Sequence, residues 1–238
     1  MLQITITRYS KGSASERSIM ADHTPAHPVS DFDPLQVPIR KAVSVLMVRN
    51  NPHLELFIQH RVTTIDFAAG MVVYPGGRVD DADYHSPITA SASHAQKWAR
   101  TWATDSPTIN ALLTAAVRET REETGATLDP TALHPWANWT TPPGPKRRFD
   151  TYFYVADAHN LAAQHQTTEA TNSEWAPAHT LLADYNAHRL DMMRPTLHLL
   201  NEIIELGTVD AILDAAAHRS IDPVRPTTAD AKDLGKAR

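Results

Sequence analysis

Three glutamates close one helix-forming stretch of this chain, in "TAAVRETREETGATL" at residues 114–128. Glu119, Glu122 and Glu123 stand at i, i+3 and i+4, so an α-helix brings their carboxylates onto one face. The pairs Glu119–Glu122 and Glu119–Glu123 each cost about 0.2–0.5 kcal/mol through like-charge repulsion. The nearby helix C-terminus adds about 0.3–1 kcal/mol per exposed anion. Arg118 and Arg121 offset part of this. A divalent cation would reverse the sign of each of these terms, and hard oxygen ligands on a rigid helix are what Mg²⁺ accepts beside waters and phosphates. A solvated charged face is the plainer alternative.

A second stretch, "YPGGRVDDAD" at 74–83, offers the other half of such a site. Gly76 and Gly77 allow a backbone to come close, and Asp80, Asp81 and Asp83 add carboxylates. Taken alone, the Pro-Gly-Gly element reads as a tight turn.

The elements that must position these residues follow from the pattern. "KAVSVLMV" (41–48), "LELFIQHR" (54–61) and "MVVYPGG" (71–77) read as strands, the first two joined across "RNNPH". "ALHPWANWTTP" and "RFDTYFYVA" are strand-like again, and "LQITITRY" near the N-terminus resembles a strand. Ser106 and Pro107 supply a cap and a first helical residue for the glutamate helix, with Ala111, Leu112, Ala115, Ala116 and Val117 on its apolar side and Gly125 as its stop. Helices are expected within "AHTLLADYNAHR", "PTLHLLNEIIELG" and "VDAILDAAAHR". The polar segment 84–105, with a helical "ASHAQKWARTW" inside, separates the glycine turn from the glutamate helix and reads as an insertion bordering the cleft. The expected division is a loose lead at 1–36, one α/β domain at 37–218 and a polar tail at 219–238.

Bulk properties narrow the classes. A hydrophobic content of 42% supports a proper core, yet no apolar run approaches a membrane span. The absence of cysteine excludes disulfides and thiol nucleophiles, and fits a cytoplasmic protein. No secretion signal is apparent at the N-terminus. A net charge of −5 argues against a nucleic-acid-binding surface. The histidines show no paired helical spacing for zinc.

These residues resemble the box of the Nudix hydrolases: Gly, five residues, Glu, seven residues, then Arg-Glu-apolar-x-Glu-Glu-x-Gly-apolar. Arg118, Glu119, Glu122, Glu123 and Gly125 match the second half in register. Thr120 and Ala126 stand at its apolar places. Gly77 matches the opening glycine, and Asp83 occupies the first acidic position. The stretch after Asp83 is much longer than in the standard box. A split box led by aromatic-Pro-Gly-Gly, with Gly70 upstream of Tyr74, is similar to the branch that includes the peroxisomal coenzyme A diphosphatases. Weaker likeness extends over "RRFDTYFYVA", "EW" at 174–175 and "RPT" at 194–196.

The resemblance implies a Nudix α/β/α sandwich with a mixed β-sheet, here with an inserted segment and extra C-terminal helices. It implies water attack on a nucleoside diphosphate derivative with Mg²⁺ or Mn²⁺ as cofactor. Glu119, Glu122 and Glu123 would hold metal, with Asp83 as a further candidate ligand, and Glu122 or Glu119 would act as base. Arg118 would orient a carboxylate. Arg61, Tyr74, Gly76 and Gly77 would contact substrate, and Lys146, Arg147 and Arg148 either form a solvated loop or grip a phosphate such as the 3′-phosphate of coenzyme A. Trp136, Trp139 and Tyr152 either stack on a base or pack in the core. Coenzyme A or an acyl-CoA is the expected substrate; ADP-ribose and dinucleotides are the alternatives. A regulator that binds nucleotide without cleaving it is the rival class, although such a module has no need of the full glutamate set. An isomerase of the familiar kind on this fold needs a cysteine that the chain lacks. No nucleic-acid or membrane partner is expected, and the sequence leaves a homodimer open.

Overall fold

The computed structural model describes residues 33, 35–64 and 68–227. The strand-like "LQITITRY" and nearly all of the expected N-terminal lead lie outside the described residues, as does the end of the polar tail from 228.

Two β-branched, apolar runs form the first hairpin, β1 (Ile39–Asn50) and β2 (Leu54–Arg61). They pair antiparallel from Val48↔Leu56 to Asn50↔Leu54 and then separate. The chain at 72–79 fills the gap. Its short β3 (Val72–Val73) pairs with β2 at His60 and Gln59. Beyond β3 the turn runs along β1: Val45 N–H donates to Pro75 O and Val43 N–H to Gly77 O, both at 2.8 Å. The other edge of β2 carries β6 (Ala170–Pro177), antiparallel. β1 continues into a parallel pair with β5 (Arg148–Asp157), and β4 (His134–Thr140) closes the far edge antiparallel to β5. The sheet is therefore mixed.

Alternation along β1 builds two cores. Val43, Val45 and Met47 face α2 (Ser106–Thr124) with Leu112, Leu113 and Ala116. Leu46 and Val48 face α3 (Ala178–Asn186), α4 (Arg194–Leu206) and α5 (Val209–His218), meeting Leu181, Leu199, Ile203 and Ile212. Fully burying each such side chain contributes about 1.5–3 kcal/mol. The result is the expected α/β/α sandwich. Among the described residues no helix is long and apolar enough to cross a membrane.

Three boundaries differ from expectation. Asp105, not Ser106, caps α2: its carboxylate accepts the Thr108 N–H at 2.8 Å, while Ser106 is already the first helical residue. The helix expected within 92–102 is short, α1 (Ala92–Lys97), and ends at Trp98. The tail does not begin at 219. Ile221 is buried in the first core, and Val224 adds to the edge of β4 through Val224 N–H to Asn138 O and Thr140 N–H to Val224 O, both 2.9 Å. This short addition covers edge groups that β4 otherwise leaves unpaired.

The insertion is also better anchored than a cleft border would be. Trp98 is fully buried and meets Tyr152 and Tyr154 edge-on, with ring centroids 5.2 and 5.5 Å apart. Lys97 Nζ donates to Ala217 O and Arg219 O at 2.7 and 2.9 Å, tying α1 to the end of α5. None of residues 84–105 lines the cleft described below. Trp98→Ala is expected to lower unfolding free energy by about 3–5 kcal/mol in urea titrations. A loss below about 1 kcal/mol would show the segment to be an appendage.

Candidate functional site

Helix α2 delivers its glutamates because its last turn is fixed from three directions. Gly125 stops the helix with φ 71° and donates to Arg121 O at 2.9 Å. The last two carbonyls of the helix, which a helix end leaves without internal partners, accept from a following loop: Gln166 N–H to Glu123 O at 3.1 Å and Gln164 N–H to Thr124 O at 3.0 Å. The third constraint is the glycine turn itself.

Gly76 N–H donates to Glu123 Oε2 at 2.8 Å. On its other side the turn lies against β1 so closely that a Cβ on Gly76 would sit 2.2 Å from Val43 O, and its φ of 153° disfavours any other residue. Gly77 is equally close to Glu119, whose Oε1 would lie 2.3 Å from an added Cβ. Gly77 thus admits the Glu119 carboxylate, and Gly76 admits the close approach of the turn to β1.

Arg118 organises the remaining carboxylates. Its Nε and Nη2 reach Asp83 Oδ1 and Oδ2 at 3.0 and 2.9 Å, Nη1 reaches Glu119 Oε1 at 2.9 Å and Glu122 Oε2 at 3.2 Å, and Nη2 also donates to Arg78 O at 3.0 Å. The bonds to Asp83 hold the guanidinium above its already high ordinary pKa, against the opposing effect of burial. Asp83 is itself buried, and its Oδ2 additionally accepts the Asp80 N–H at 2.8 Å. Both its oxygens are committed, so its place in this arrangement is to fix Arg118 rather than to face a ligand.

Burial raises the pKa of Glu119, with Arg118 pulling it back, and pushes that of Glu123 up to about 7, against the Gly76 hydrogen bond. These are two carboxylates held near one another in a water-poor place. Glu122 is different: half of its side chain is exposed, and it shares Arg118. Among the described residues no group of three or more carboxylate or imidazole side chains is placed so as to hold a metal ion. The donor chemistry nevertheless fits Mg²⁺ or Mn²⁺, since Glu119 and Glu123 are hard-oxygen groups of which, among the described residues, only Glu119 has an ion-pair partner, Arg118, shared with other carboxylates, and such ions keep open positions for water and phosphate.

Glu119 and Glu123 open onto a cleft of about 1760 Å³. Its floor is the sheet face carrying Ala42 and Ser44 of β1, Thr151 and Phe153 of β5 and Trp139 of β4; Tyr185 and the first turn of α4 stand over it. Arg61, Tyr74, Gly76, Gly77, Lys146, Arg147 and Arg148 all line it, whereas Arg118, Asp83 and Glu122 do not. Arg61 Nη2 pairs with Glu169 Oε2 at 2.7 Å. Tyr74 is largely packed away, its hydroxyl donating to Thr196 O at 3.1 Å, and burial raises its pKa. Trp136 and Tyr152 are fully buried core residues, while Trp139 reaches the cleft. Sequence reasoning missed Arg40, Arg78 and Arg194 on the same cleft. Arg194 lay within the quoted "RPT", and the alternation of β1 was the signal available for Arg40.

Gly77→Ala should leave the fold intact, because the colliding atoms are the mobile end of Glu119, yet displace that carboxylate. The expected result is a melting temperature within a few degrees of wild type, with turnover of a diphosphate-linked substrate, where one is cleaved, lowered at least about tenfold. Unchanged turnover would mean that the Glu119–Gly77 approach does not matter.

The NUDIX domain profile matches residues 109–196. Acyl-coenzyme A diphosphatase NUDT19 of Xenopus laevis is 28% identical over 96 residues, which are 38% of this chain and 25% of that protein. The match therefore spans about a quarter of that relative's length. A NUDIX hydrolase from Alicyclobacillus acidocaldarius superposes with a TM-score of 0.63 at 23% identity, covering 79% of this chain and 100% of that one. The NUDIX domain of Shewanella oneidensis NrtR, crystallised with ADP ribose, gives 0.50 at 16% identity over 74% and 94% of the two chains. The two superpositions show a shared fold.

Proposed function

We propose that this chain, which carries a Nudix domain, is a Mg²⁺- or Mn²⁺-dependent hydrolase that cleaves a diphosphate linkage in coenzyme A or an acyl-CoA. The observation that carries the reading is the pair Glu119 and Glu123, desolvated against Gly77 and Gly76 at the wall of a large cleft. The similarity to an acyl-coenzyme A diphosphatase supports the substrate class.

Glu119, Glu122 and Glu123 are the groups suited to hold the metal, which when bound neutralises phosphate charge and acidifies a water. The chain's own residues then divide the remaining work. Arg118, fixed by Asp83, holds Glu119 and Glu122 at set orientations, and one of these two accepts the proton of the attacking water. Arg61 and the glycine turn position the diphosphate in the cleft. Lys146, Arg147 and Arg148, also on the cleft, supply cationic contacts for a phosphate away from the scissile bond. Trp139 and Phe153 offer flat apolar surface for a base or an acyl-bearing arm.

Glu119→Gln is expected to lower kcat by about 10²–10⁴-fold while the urea midpoint stays near that of wild type. Chelator should abolish activity, and Mg²⁺ or Mn²⁺ should restore it. Full activity in the variant or in excess chelator would refute the metal-dependent mechanism. Tight nucleotide binding without product would identify a binding module instead.

For the substrate, the products of coenzyme A should be 3′,5′-ADP and 4′-phosphopantetheine. Arg147→Ala combined with Arg148→Ala should lower kcat/KM for coenzyme A by about ten- to a hundredfold more than for dephospho-coenzyme A, corresponding to about 1.5–3 kcal/mol for a charged contact. Equal losses on both substrates would exclude the grip. A preference for ADP-ribose or a dinucleotide would replace coenzyme A and leave diphosphate hydrolysis standing.

A further inference from the structure

The Glu123 carboxylate has one direct partner in the glycine turn, but the sheet beneath it holds a second candidate donor. Gln59 lies near the middle of β2 and is 1% exposed. Its neighbours there are mostly apolar, including Phe57, Ile58 and Val73. A free amide at such a place is destabilising when it is not hydrogen-bonded. Yet Gln59 Nε2 is buried without a hydrogen-bond partner among the described residues.

Register and alternation show where the side chain points. Gln59 pairs with Val73, three residues before Gly76, so it flanks the strand that leads into the glycine turn. Phe57, two residues earlier on the same face, packs in the core formed with α2. Gln59 therefore faces the underside of α2 near its last turn, where Glu123 is 6% exposed. Thr120 marks the same polar intrusion: it is fully buried on α2 with its hydroxyl unpartnered, at a place where the Nudix box has an apolar residue.

We infer that Gln59 is a positioning residue, whose buried amide faces the Glu123 carboxylate from the sheet while Gly76 N–H holds its other side, and that these two groups together decide which oxygen Glu123 presents to the cleft. Electrostatics agree, since the Gln59 side chain acts on Glu123 to favour its charged form. Arg61, two residues further along β2, acts on Glu123 in the same sense through its charge. The inference rests on the proposed metal-dependent diphosphatase for its readout.

The experiment uses the purified full chain and Mn²⁺ as probe. Mn²⁺ affinity is read by electron paramagnetic resonance, stability by urea unfolding without metal, and kcat and KM separately at saturating Mn²⁺. Gln59→Met keeps the length and volume of the side chain and removes the donor. It should weaken Mn²⁺ binding about ten- to a hundredfold, as loss of a group that orients a ligand does. Stability should be unchanged or higher, because an unpaired amide has been replaced by an apolar group. At saturating Mn²⁺ the loss should fall on kcat rather than KM. Should Gln59→Met not fold, Gln59→Asn makes the same comparison, keeping an amide but withdrawing it by one methylene. Mn²⁺ affinity within twofold of wild type in the folded variant would overturn the role of Gln59, whatever the change in stability. Absence of Mn²⁺ binding by the wild-type chain would overturn the metal-dependent reading, and the role of Gln59 with it.

Discussion

The hydrogen bond from Gly76 N–H to Glu123 Oε2 is the constraint on which the site depends, because it fixes the glycine turn against the last turn of α2. On one side stands α2, whose place is set by apolar packing on the sheet. On the other stands a backbone turn whose place is set by strand pairing. The turn reaches α2 only because β1 and β2 part after three residue pairs and leave β1 with unpaired backbone groups, which Pro75 and Gly77 then satisfy. Buried backbone groups must find partners, so the opening of the hairpin and the position of the turn are one event. Glycine at 76 follows from the same geometry, since the surface against Val43 has no room for a side chain.

Arg118 solves a second problem. Four carboxylates, those of Asp83, Glu119, Glu122 and, at longer range, Asp80, surround one guanidinium. A single cation cannot neutralise that charge. Its planar fork is instead taken up by the buried Asp83, leaving one edge for Glu119 and Glu122. The net effect is a rigid, anionic face that remains short of positive charge. Burial then sharpens the deficit at Glu119 and Glu123, where it raises both pKa values. This is the same conflict that the bare spacing of the glutamates displays, now with its location and depth.

What the sequence made legible was local. The glutamate helix, its glycine stop and the register of Arg118 with Glu119, Glu122 and Glu123 all depend on positions a few residues apart, where helical periodicity speaks directly. The C-terminal helices emerged for the same reason. What stayed hidden depends on pairing between distant segments. Box spacing singles out Asp83 from Asp80 and Asp81, but only the fold shows that it is the one buried against Arg118. Trp98 lies in a polar stretch, and its burial between Tyr152 and Tyr154 could not be read from its neighbours in sequence. The docking of Val224 on β4 likewise joins residues far apart in the chain. Gln59 was hidden in an alternating strand, where a polar residue normally signals solvent and here marks the underside of the site.

The division of labour within the cleft follows from the same contrast between rigid and adaptable parts. The reactive wall is made by a capped helix and a turn zipped to a strand, so its geometry is tightly determined. The cationic residues 146–148 instead lead into β5 from the connection after β4, where Gly144 has open space around it. Such a connection can change length and sequence without disturbing the sheet, whereas a shift of α2 would break the Gly76 contact and unseat Arg118 together. On the proposed function, the chemistry of bond cleavage is therefore tied to the core of the fold, and the choice of what is cleaved to its edge. That separation explains why the residues around α2 identify a reaction class so much more sharply than the loop before β5 identifies a substrate.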